Sequence, residues 1–244
     1  MSERASPGLP EIDVREWGGK KDGERQVLDR RLFMQLMVFD VNHADGFASV
    51  RDRAGHELSR AKVPFVIYED ANATRGLGVL TWSIDPAAFV SAVHPALREL
   101  PMTQRDGWTM LGRTYAIGHE PDLEHAILKR PIEYVGHAEW NWHVWYPLRR
   151  SGAFARLDPH QQATILREHA SIGMAYGRTD LAHDVRLACH GLDAKDNEFV
   201  IGLIGKDLHP LSHIVQTMRA TEQTSQYIVQ MGPFFVGRAV LRGA

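Results

Sequence analysis

Tyr146, His169 and the adjacent cations Arg149 and Arg150 are the residues whose types and spacing are best suited to chemistry. The aromatic tract 140–146 runs directly into a proline and the two arginines, and a short helix then presents the histidine. A Gly-Leu-Asp turn between two strands follows. This order of parts suits a large flat ligand that one imidazole and several cations hold.

Tyr146 ends a segment that we predict to be a strand running from Tyr134 to Tyr146. Side chains alternate along a strand, so Trp142 and Val144 share one face with Tyr146, while His143 lies on the other. The tyrosine hydroxyl is then directed toward the core or a pocket. The alternative is a core tyrosine that donates to a backbone carbonyl.

His169 lies among apolar positions of a helix that Asp158 opens. It is either a satisfied structural residue or a metal ligand. A ligating histidine binds through a neutral ring nitrogen, and its other nitrogen donates to a carboxylate or carbonyl. Glu222, near the end of the last helix, is the candidate for that acceptor, and its alternative is a solvated charge at a helix end.

Three arginines are candidates for binding the carboxylates of a flat ligand. Arg149 and Arg150 follow Tyr146, and Arg113 lies in an earlier segment. Guanidinium groups bind carboxylates in a bidentate manner, as porphyrin propionates require, although adjacent arginines are also common on surfaces. The aromatic tract, the histidine and these cations together predict a haem protein.

Other catalytic motifs fail. The sequence has no Walker loop, G-x-S-x-G elbow or H-E-x-x-H motif, and Gly76-Leu-Gly78 lacks the third glycine of a dinucleotide loop. His209 and His213 lie four residues apart, but the sequence positions no third ligand, so we do not expect a zinc site. The chemistry of this chain therefore depends on a cofactor, or the chain is not an enzyme.

Composition indicates a globular protein, with 44% hydrophobic and 24% charged residues. The net charge of -2 gives no indication of nucleic-acid or anionic-membrane binding. A single cysteine, Cys189, excludes an intrachain disulfide. No apolar run reaches the ~18 residues of a membrane span, and no signal peptide is recognised, so we expect a cytoplasmic protein.

The order of elements predicts an α+β fold with an internal duplication. Residues 1–28 form an N-terminal arm, disordered alone or laid against a neighbouring surface. The same order of elements, strand, helix, strand, strand and helix, then occurs twice, in residues 29–130 and 131–244. In each half an aspartate, Asp85 or Asp207, precedes the last helix. We predict two ferredoxin-like halves that form a dimeric α+β barrel-type subunit, its antiparallel sheets backed by helices.

The second half resembles the chlorite dismutase family, which includes the coproheme decarboxylases. The resemblance depends on five motifs in order: Tyr146-Pro-Leu-Arg-Arg, Glu168-His-Ala-Ser-Ile-Gly-Met-Ala-Tyr176, Gly191-Leu-Asp-Ala-Lys-Asp-Asn-Glu-Phe199, Met218-Arg-Ala-Thr-Glu222 and Phe234-Phe-Val-Gly237. It implies a homo-oligomeric ring, often a pentamer. It also implies haem b or coproheme in the C-terminal half, and no cofactor in the N-terminal half.

The resemblance assigns roles to individual residues. His169 is similar to the proximal ligand of haem iron, and Glu222 to the acid that hydrogen-bonds that histidine. Tyr146 resembles the tyrosine that is oxidised to a radical during peroxide-driven decarboxylation of propionates. Arg150 takes the position of a basic residue, a lysine in most decarboxylases.

The sequence departs from the family on the distal side of the haem, where related enzymes carry arginine or glutamine. Counting back from Gly191 gives Asp184 for this position, and counting forward from His169 gives Ala182. His183 and Arg186 lie close by. An aspartate there would repel an anion, which disfavours chlorite as the substrate.

The leading hypothesis is therefore a haem-dependent oxidoreductase that decarboxylates coproheme with peroxide. Chlorite breakdown to chloride and dioxygen at haem b is the second hypothesis. The third is a haem-binding or haem-transfer protein with little turnover. A barrel whose haem pocket has decayed is the fourth.

Overall fold

The structure is a computed structural model that describes residues 9–42 and 44–243. A two-stranded hairpin comes first and is followed by the first βαββαβ unit. The elements are β1 (Glu16–Lys21), β2 (Glu24–Leu28), β3 (Phe33–Val41), α1 (Phe47–Arg60), β4 (Phe65–Asp70), β5 (Gly76–Ser83), a π-helical turn (Phe89–Val93) that continues into α2 (His94–Arg98), β6 (Met102–Gln104) and β7 (Met110–Arg113).

A second π-helical turn (His125–Lys129) and α3 (Arg130–Gly136) lead into the second unit. Its elements are β8 (Trp142–Arg150), α4 (Gly152–Ala155), α5 (Pro159–Arg178), β9 (His183–Ala188), β10 (Phe199–Gly205), α6 (Leu208–Arg219), a π-helical turn (Gln223–Tyr227), β11 (Ile228–Met231) and β12 (Phe235–Gly243). Within the described ranges, no helix combines the length and the apolar character needed to cross a membrane.

Strand order identifies both units as ferredoxin-like. The order is β7-β3-β5-β4 in the first unit and β12-β8-β10-β9 in the second. Counted along the chain within each unit, both orders read fourth, first, third and second strand, and every pairing is antiparallel. The predicted duplication is confirmed in the architecture.

The two units join edge to edge and close a barrel. β4 pairs with β12 along most of its length, and β7 meets β9 at Arg113 and Ala188. The second strand of each unit therefore contacts the fourth strand of the other, as a pseudo-twofold arrangement requires. The predicted dimeric α+β barrel with antiparallel sheets backed by helices is confirmed.

The barrel interior is a dense apolar core. Trp145 of β8 is fully buried beside the backbone of Gly202 on β10, its partner in the strand register. A Cβ atom at Gly202 would lie 2.5 Å from the indole of Trp145. Only glycine leaves room for the tryptophan ring at this position.

Replacement of Gly202 with alanine is expected to destabilise the fold by about 1 to 3 kcal/mol, because the added methyl group overpacks the core. Gly136 is the matched control, since apart from its chain neighbours and the adjoining backbone of α3 no atom of the described residues lies within 4 Å of a Cβ built there. The free energy of unfolding in urea measures both variants. Equal stability of Gly202→Ala and Gly136→Ala would contradict this account of the packing.

The helices outside the barrel pack differently in the two units. Helix α1 buries Val50, Ala54, Gly55 and Leu58 against its sheet. Helix α5 has 20 residues, all described, yet Ile165 is the only buried one. Helix α5 contacts α6, β9 and the turn at 223–227. Helix α5 therefore buries fewer of its residues than α1, and on the sheet beneath it Ile201 is half-buried and Arg186 is exposed.

One local prediction is wrong, and for the N-terminal arm the structure agrees with the alternative in which it lies against a neighbouring surface. The strand predicted from Tyr134 begins only at Trp142, because the preceding residues form α3, with Pro131 in its first turn. Within the arm, residues 16–28 form the β1–β2 hairpin, and Gln26 donates to the carbonyls of Glu120 and Pro121. Residues 1–8 of the predicted arm lie outside the described residues.

Candidate functional site

The outer face of the second sheet gathers the residues that the sequence singled out. Tyr146 on β8 pairs with Ile201 on β10, which in turn pairs with Arg186 on β9. Two residues further along β10, Leu203 pairs with Val144 on β8 and with Asp184 on β9. Paired residues in neighbouring strands point to the same side. Tyr146, Arg186 and Asp184 therefore all lie on the sheet face that α5 and α6 cover.

His169 is presented to this face by α5. Asp158 caps the helix by accepting from the backbone N–H groups of His160 and Gln161. The His169 ring is half-buried, and its Nδ1 atom is buried with no hydrogen-bond partner among residues 9–42 and 44–243. Burial and the charge of Arg186 lower the pKa of His169, against the opposing effect of Asp184. The imidazole is therefore neutral at neutral pH.

His143 shows what a structural histidine looks like in this protein. It is fully buried in the barrel, with Nδ1 at 2.9 Å from the Tyr68 hydroxyl and Nε2 at 3.0 Å from the Trp140 carbonyl. Both ring nitrogens are satisfied, as burial requires. In contrast, Nδ1 of His169 has no hydrogen-bond partner among the described residues. This difference favours a metal ligand over a structural histidine.

The burial of His143 predicts a pH dependence of stability. Burial lowers the pKa of His143 from 6.5 to about 3. The unfolded chain therefore binds an extra proton between these values, so stability is complete above pH 6.5 and is lost as pH falls. We expect a loss of about 2 to 3 kcal/mol in unfolding free energy between pH ~6.5 and ~4.5.

Urea titrations across this pH range test the expectation. His143→Gln should flatten the pH profile, whereas His160→Gln, on the exposed start of α5, should leave it unchanged. An identical slope in wild type and His143→Gln would show that other groups cause the acid sensitivity.

Tyr146 is almost completely buried on the outer face. Its ring stacks on Phe234, with ring centroids 4.5 Å apart. Burial and the negative charge of Asp184 raise its pKa, against a smaller effect of Arg219. The phenol therefore stays protonated at neutral pH, which keeps its hydrogen available for transfer.

Arg150 lies on the same face as Tyr146 but is already engaged. Its Nε atom donates to Glu198 Oε2 at 3.0 Å, and its guanidinium lies over the rings of Phe154 and Phe199. Burial opposes ionisation of Glu198, yet the Arg150 guanidinium outweighs it and lowers the pKa of that carboxyl. A ligand carboxylate would have to share this cation with Glu198.

The other two predicted cations differ in their placement. Arg149 points to the opposite face of β8 from Tyr146, since side chains alternate, and pairs with Asp196 at 3.4 Å. The structure therefore does not bring Arg149 to the Tyr146 face. Arg113 lies in register with Ala188 on the outer side, where it pairs with Glu16 of the hairpin at 3.2 Å.

The structure does not bring Glu222 to His169 as a partner. The Glu222 side chain is exposed, and its backbone N–H donates to Glu168 Oε2 at 3.0 Å. This bond joins the turn after α6 to α5, next to the histidine. The segments meet as the predicted pairing requires, but the carboxylate of Glu222 points to solvent.

The structure separates the distal candidates. Asp184 and Arg186 face outward, whereas His183 points to the barrel side and stacks on Trp140 with ring centroids 3.7 Å apart. The sequence could not choose among them because the loop before β9 has no fixed length. Ala182 precedes β9 and is buried.

Tyr115 belongs to the same face, although sequence reasoning missed it. Its ring lies 5.6 Å from that of Phe199, and burial raises its pKa. It lies two residues after Arg113, so alternation from that arginine was the one signal in the sequence. The outer face thus combines two tyrosines, one neutral imidazole and three guanidinium groups.

Other chemistry lacks a site in the described part of the chain. No group of three or more His, Cys, Asp or Glu residues there is arranged to hold a metal ion. His213 Nδ1 lies 2.5 Å from the Tyr176 hydroxyl, so it links α6 to α5. Burial raises the pKa of the Cys189 thiol to about 12, which removes it as a nucleophile.

Comparisons with known proteins agree with this architecture. A haem-binding protein from Thermus thermophilus is 17% identical, with a TM-score of 0.68 over 87% of this chain and 92% of that one. An arginine-to-lysine variant of chlorite dismutase from Candidatus Nitrospira defluvii is 11% identical, with a TM-score of 0.66 over 88% and 93%. None of the curated proteins compared with this chain matches it.

Fold and site define an α+β barrel of two ferredoxin-like units with a histidine-bearing helix over one sheet. Residues 90–240, more than half of the chain, match the chlorite dismutase family model. The chain therefore belongs to the chlorite dismutase family.

Proposed function

We propose that this protein is a haem-dependent oxidoreductase that decarboxylates coproheme with hydrogen peroxide. The observation that carries the haem assignment is His169. Its ring is half-buried and neutral, its Nδ1 has no partner among the described residues, and it projects from a helix with one buried residue. Family membership and the haem-binding relative from Thermus thermophilus support the same cofactor.

The residues around His169 fit a porphyrin. Tyr146, Ile201 and Leu203 give the sheet face an aromatic and aliphatic surface for a flat ring. Arg113, Arg150 and Tyr115 lie toward one side of that face, where carboxylate groups would find donors. His169 would hold the iron, and the bound haem supplies the two-electron chemistry with peroxide.

Tyr146 favours decarboxylation over the other reactions of the family. Each reacting propionate loses carbon dioxide, one proton and two electrons and becomes a vinyl group. One hydrogen peroxide takes up two electrons and two protons and becomes two waters. The Tyr146 phenol would give up a hydrogen atom to the peroxide-oxidised cofactor, and the resulting phenoxyl radical would take a hydrogen atom from the propionate. The propionate radical would then release carbon dioxide and pass its second electron to the cofactor.

Chlorite breakdown is the second candidate, and Arg186 is the observation that favours it. A guanidinium on the outer face is suited to holding an anion. Asp184, paired with it at 2.8 Å, opposes that use. We therefore rank chlorite below peroxide as the oxidant.

One experiment distinguishes these functions. Haem b or coproheme is added to the apoprotein, the absorption spectrum is recorded, and peroxide or chlorite is then titrated. We expect a Soret band with coproheme and, on peroxide addition, masses that correspond to vinyl products. Dioxygen released from chlorite would favour the second candidate. A Soret band without any turnover would indicate haem transfer, and no band with either porphyrin would refute a haem function.

A further inference from the structure

Arg186 is the cation on the outer face whose partner comes from the same strand. Its Nε atom lies 2.8 Å from Asp184 Oδ2, and the two side chains are 41% and 44% exposed. Arg150 is tied to Glu198 and Arg113 to Glu16, both on other segments of the chain. The Asp184–Arg186 pair is therefore open on its outward side.

The pair lies within electrostatic range of both chemical groups of the site. Asp184 and Arg186 lie on β9, which packs against α5, the helix that carries His169. The charge of Asp184 also acts on Tyr146, and one residue of β10 separates Tyr146 from Arg186 in the strand register. Neighbouring strands are ~4.8 Å apart, so Arg186 lies about 10 Å from Tyr146 along the sheet.

The charges of Asp184 and Arg186 lie 2.8 Å apart. At this distance each charge cancels most of the electric field that the other exerts on a third charge nearby. An anion that approaches the guanidinium also meets the carboxylate, whose repulsion offsets the attraction. A neutral molecule pays no such penalty. Without Asp184, the guanidinium would lack its ion-pair partner, and the Glu120 carboxylate, which lines the same pocket, would remain as a weaker countercharge.

We propose that Asp184 masks an anion-binding site at Arg186, and that this masking selects neutral over anionic small ligands next to His169. The inference rests on the proposed haem function, because it concerns what binds beside the porphyrin. It assigns peroxide, which is neutral, as the preferred class of oxidant. It also predicts weak use of chlorite despite the arginine on this face.

Equilibrium binding to the ferric holoprotein tests the masking. Azide serves as the anionic probe and imidazole as the neutral probe, each titrated by absorption spectroscopy. Asp184→Asn is expected to lower the Kd of azide about tenfold, a change of ~1.4 kcal/mol, and to leave the Kd of imidazole within about twofold. Adding Arg186→Met to Asp184→Asn should abolish the gain.

Asp196→Asn is the matched control, because Asp196 pairs with Arg149 on the opposite face of β8. It should change neither Kd. If Asp184→Asn does not retain haem, Arg186→Met alone still decides the matter. Removal of the guanidinium leaves the Asp184 carboxylate uncompensated, so the Kd of azide should rise about tenfold while that of imidazole stays within about twofold, and an unchanged Kd of azide would overturn the proposal.

Different results would refute the masking by Asp184 and the haem function. An intact Soret band in Asp184→Asn with an unaltered azide Kd refutes the masking and leaves the haem function standing. Absence of a Soret band in the wild-type protein refutes the proposed function itself.

Discussion

Replacement of His169 with alanine is expected to abolish axial coordination of added haem or coproheme. The imidazole is the one group on α5 that is neutral, half-buried and unpartnered at Nδ1 within the described chain. Removal of an outer partner of a metal-bound histidine costs roughly 10- to 100-fold in affinity, so loss of the ligand itself should cost more. Absorption and electron paramagnetic resonance spectra of the ferric form measure the coordination.

His160→Ala on the same helix is the control, since His160 is exposed at the start of α5. Free imidazole added to His169→Ala should restore the spectrum by entering the space that the side chain left. A spectrum of His169→Ala that matches wild type would show that another residue binds the iron, and the site would have to be reassigned.

Much of this fold was predictable because its local signals are strong. Asp158 and Pro159 fixed the start of α5, and alternation along the aromatic tract placed Val144 and Tyr146 on one face. Two similar strand and helix orders predicted the duplication. These features depend on residues that are close in sequence, and local patterns such as helix caps and side-chain alternation predict them.

The sequence was least informative where distant segments compete for a residue. Residues 134–136 are apolar and aromatic enough for a strand, but Val135 joins the barrel core as part of α3. Arg149 and Arg150 look equivalent in sequence, and only the paired strands show that they point to opposite faces. Glu222 is near His169 along the fold, yet its side chain is exposed.

The residue on the distal side of the haem could not be assigned from the sequence either. Counting from either neighbouring landmark gave different residues, because an insertion in a loop has no fixed position in sequence. Strand register places both Asp184 and Arg186 on the outer face, in rows that contain Val144 and Tyr146. Their ion pair, which sets the charge of the face, depends on side-chain geometry that no spacing rule contains.

Tyr146→Phe is expected to reduce peroxide-dependent decarboxylation by at least about 100-fold, equivalent to ~2.7 kcal/mol in the activation barrier. The substitution removes the phenolic hydrogen and keeps the ring that stacks on Phe234. Porphyrin uptake should therefore remain unchanged, because His169 and the arginines are untouched. Mass spectra after peroxide addition measure vinyl products, and Soret titration measures uptake.

Tyr134→Phe is the matched control, because Tyr134 is also a partly buried tyrosine whose pKa burial raises. It lies on α3 and packs on Trp140, away from the outer face. Its variant should decarboxylate at the wild-type rate. Turnover retained in Tyr146→Phe would remove Tyr146 from the mechanism, whereas loss of porphyrin uptake would give it a structural role. Equal losses in both variants would indicate a general effect of removing buried hydroxyl groups. Loss confined to Tyr146→Phe, with uptake intact, would identify the hydroxyl on the outer face as the group that reacts.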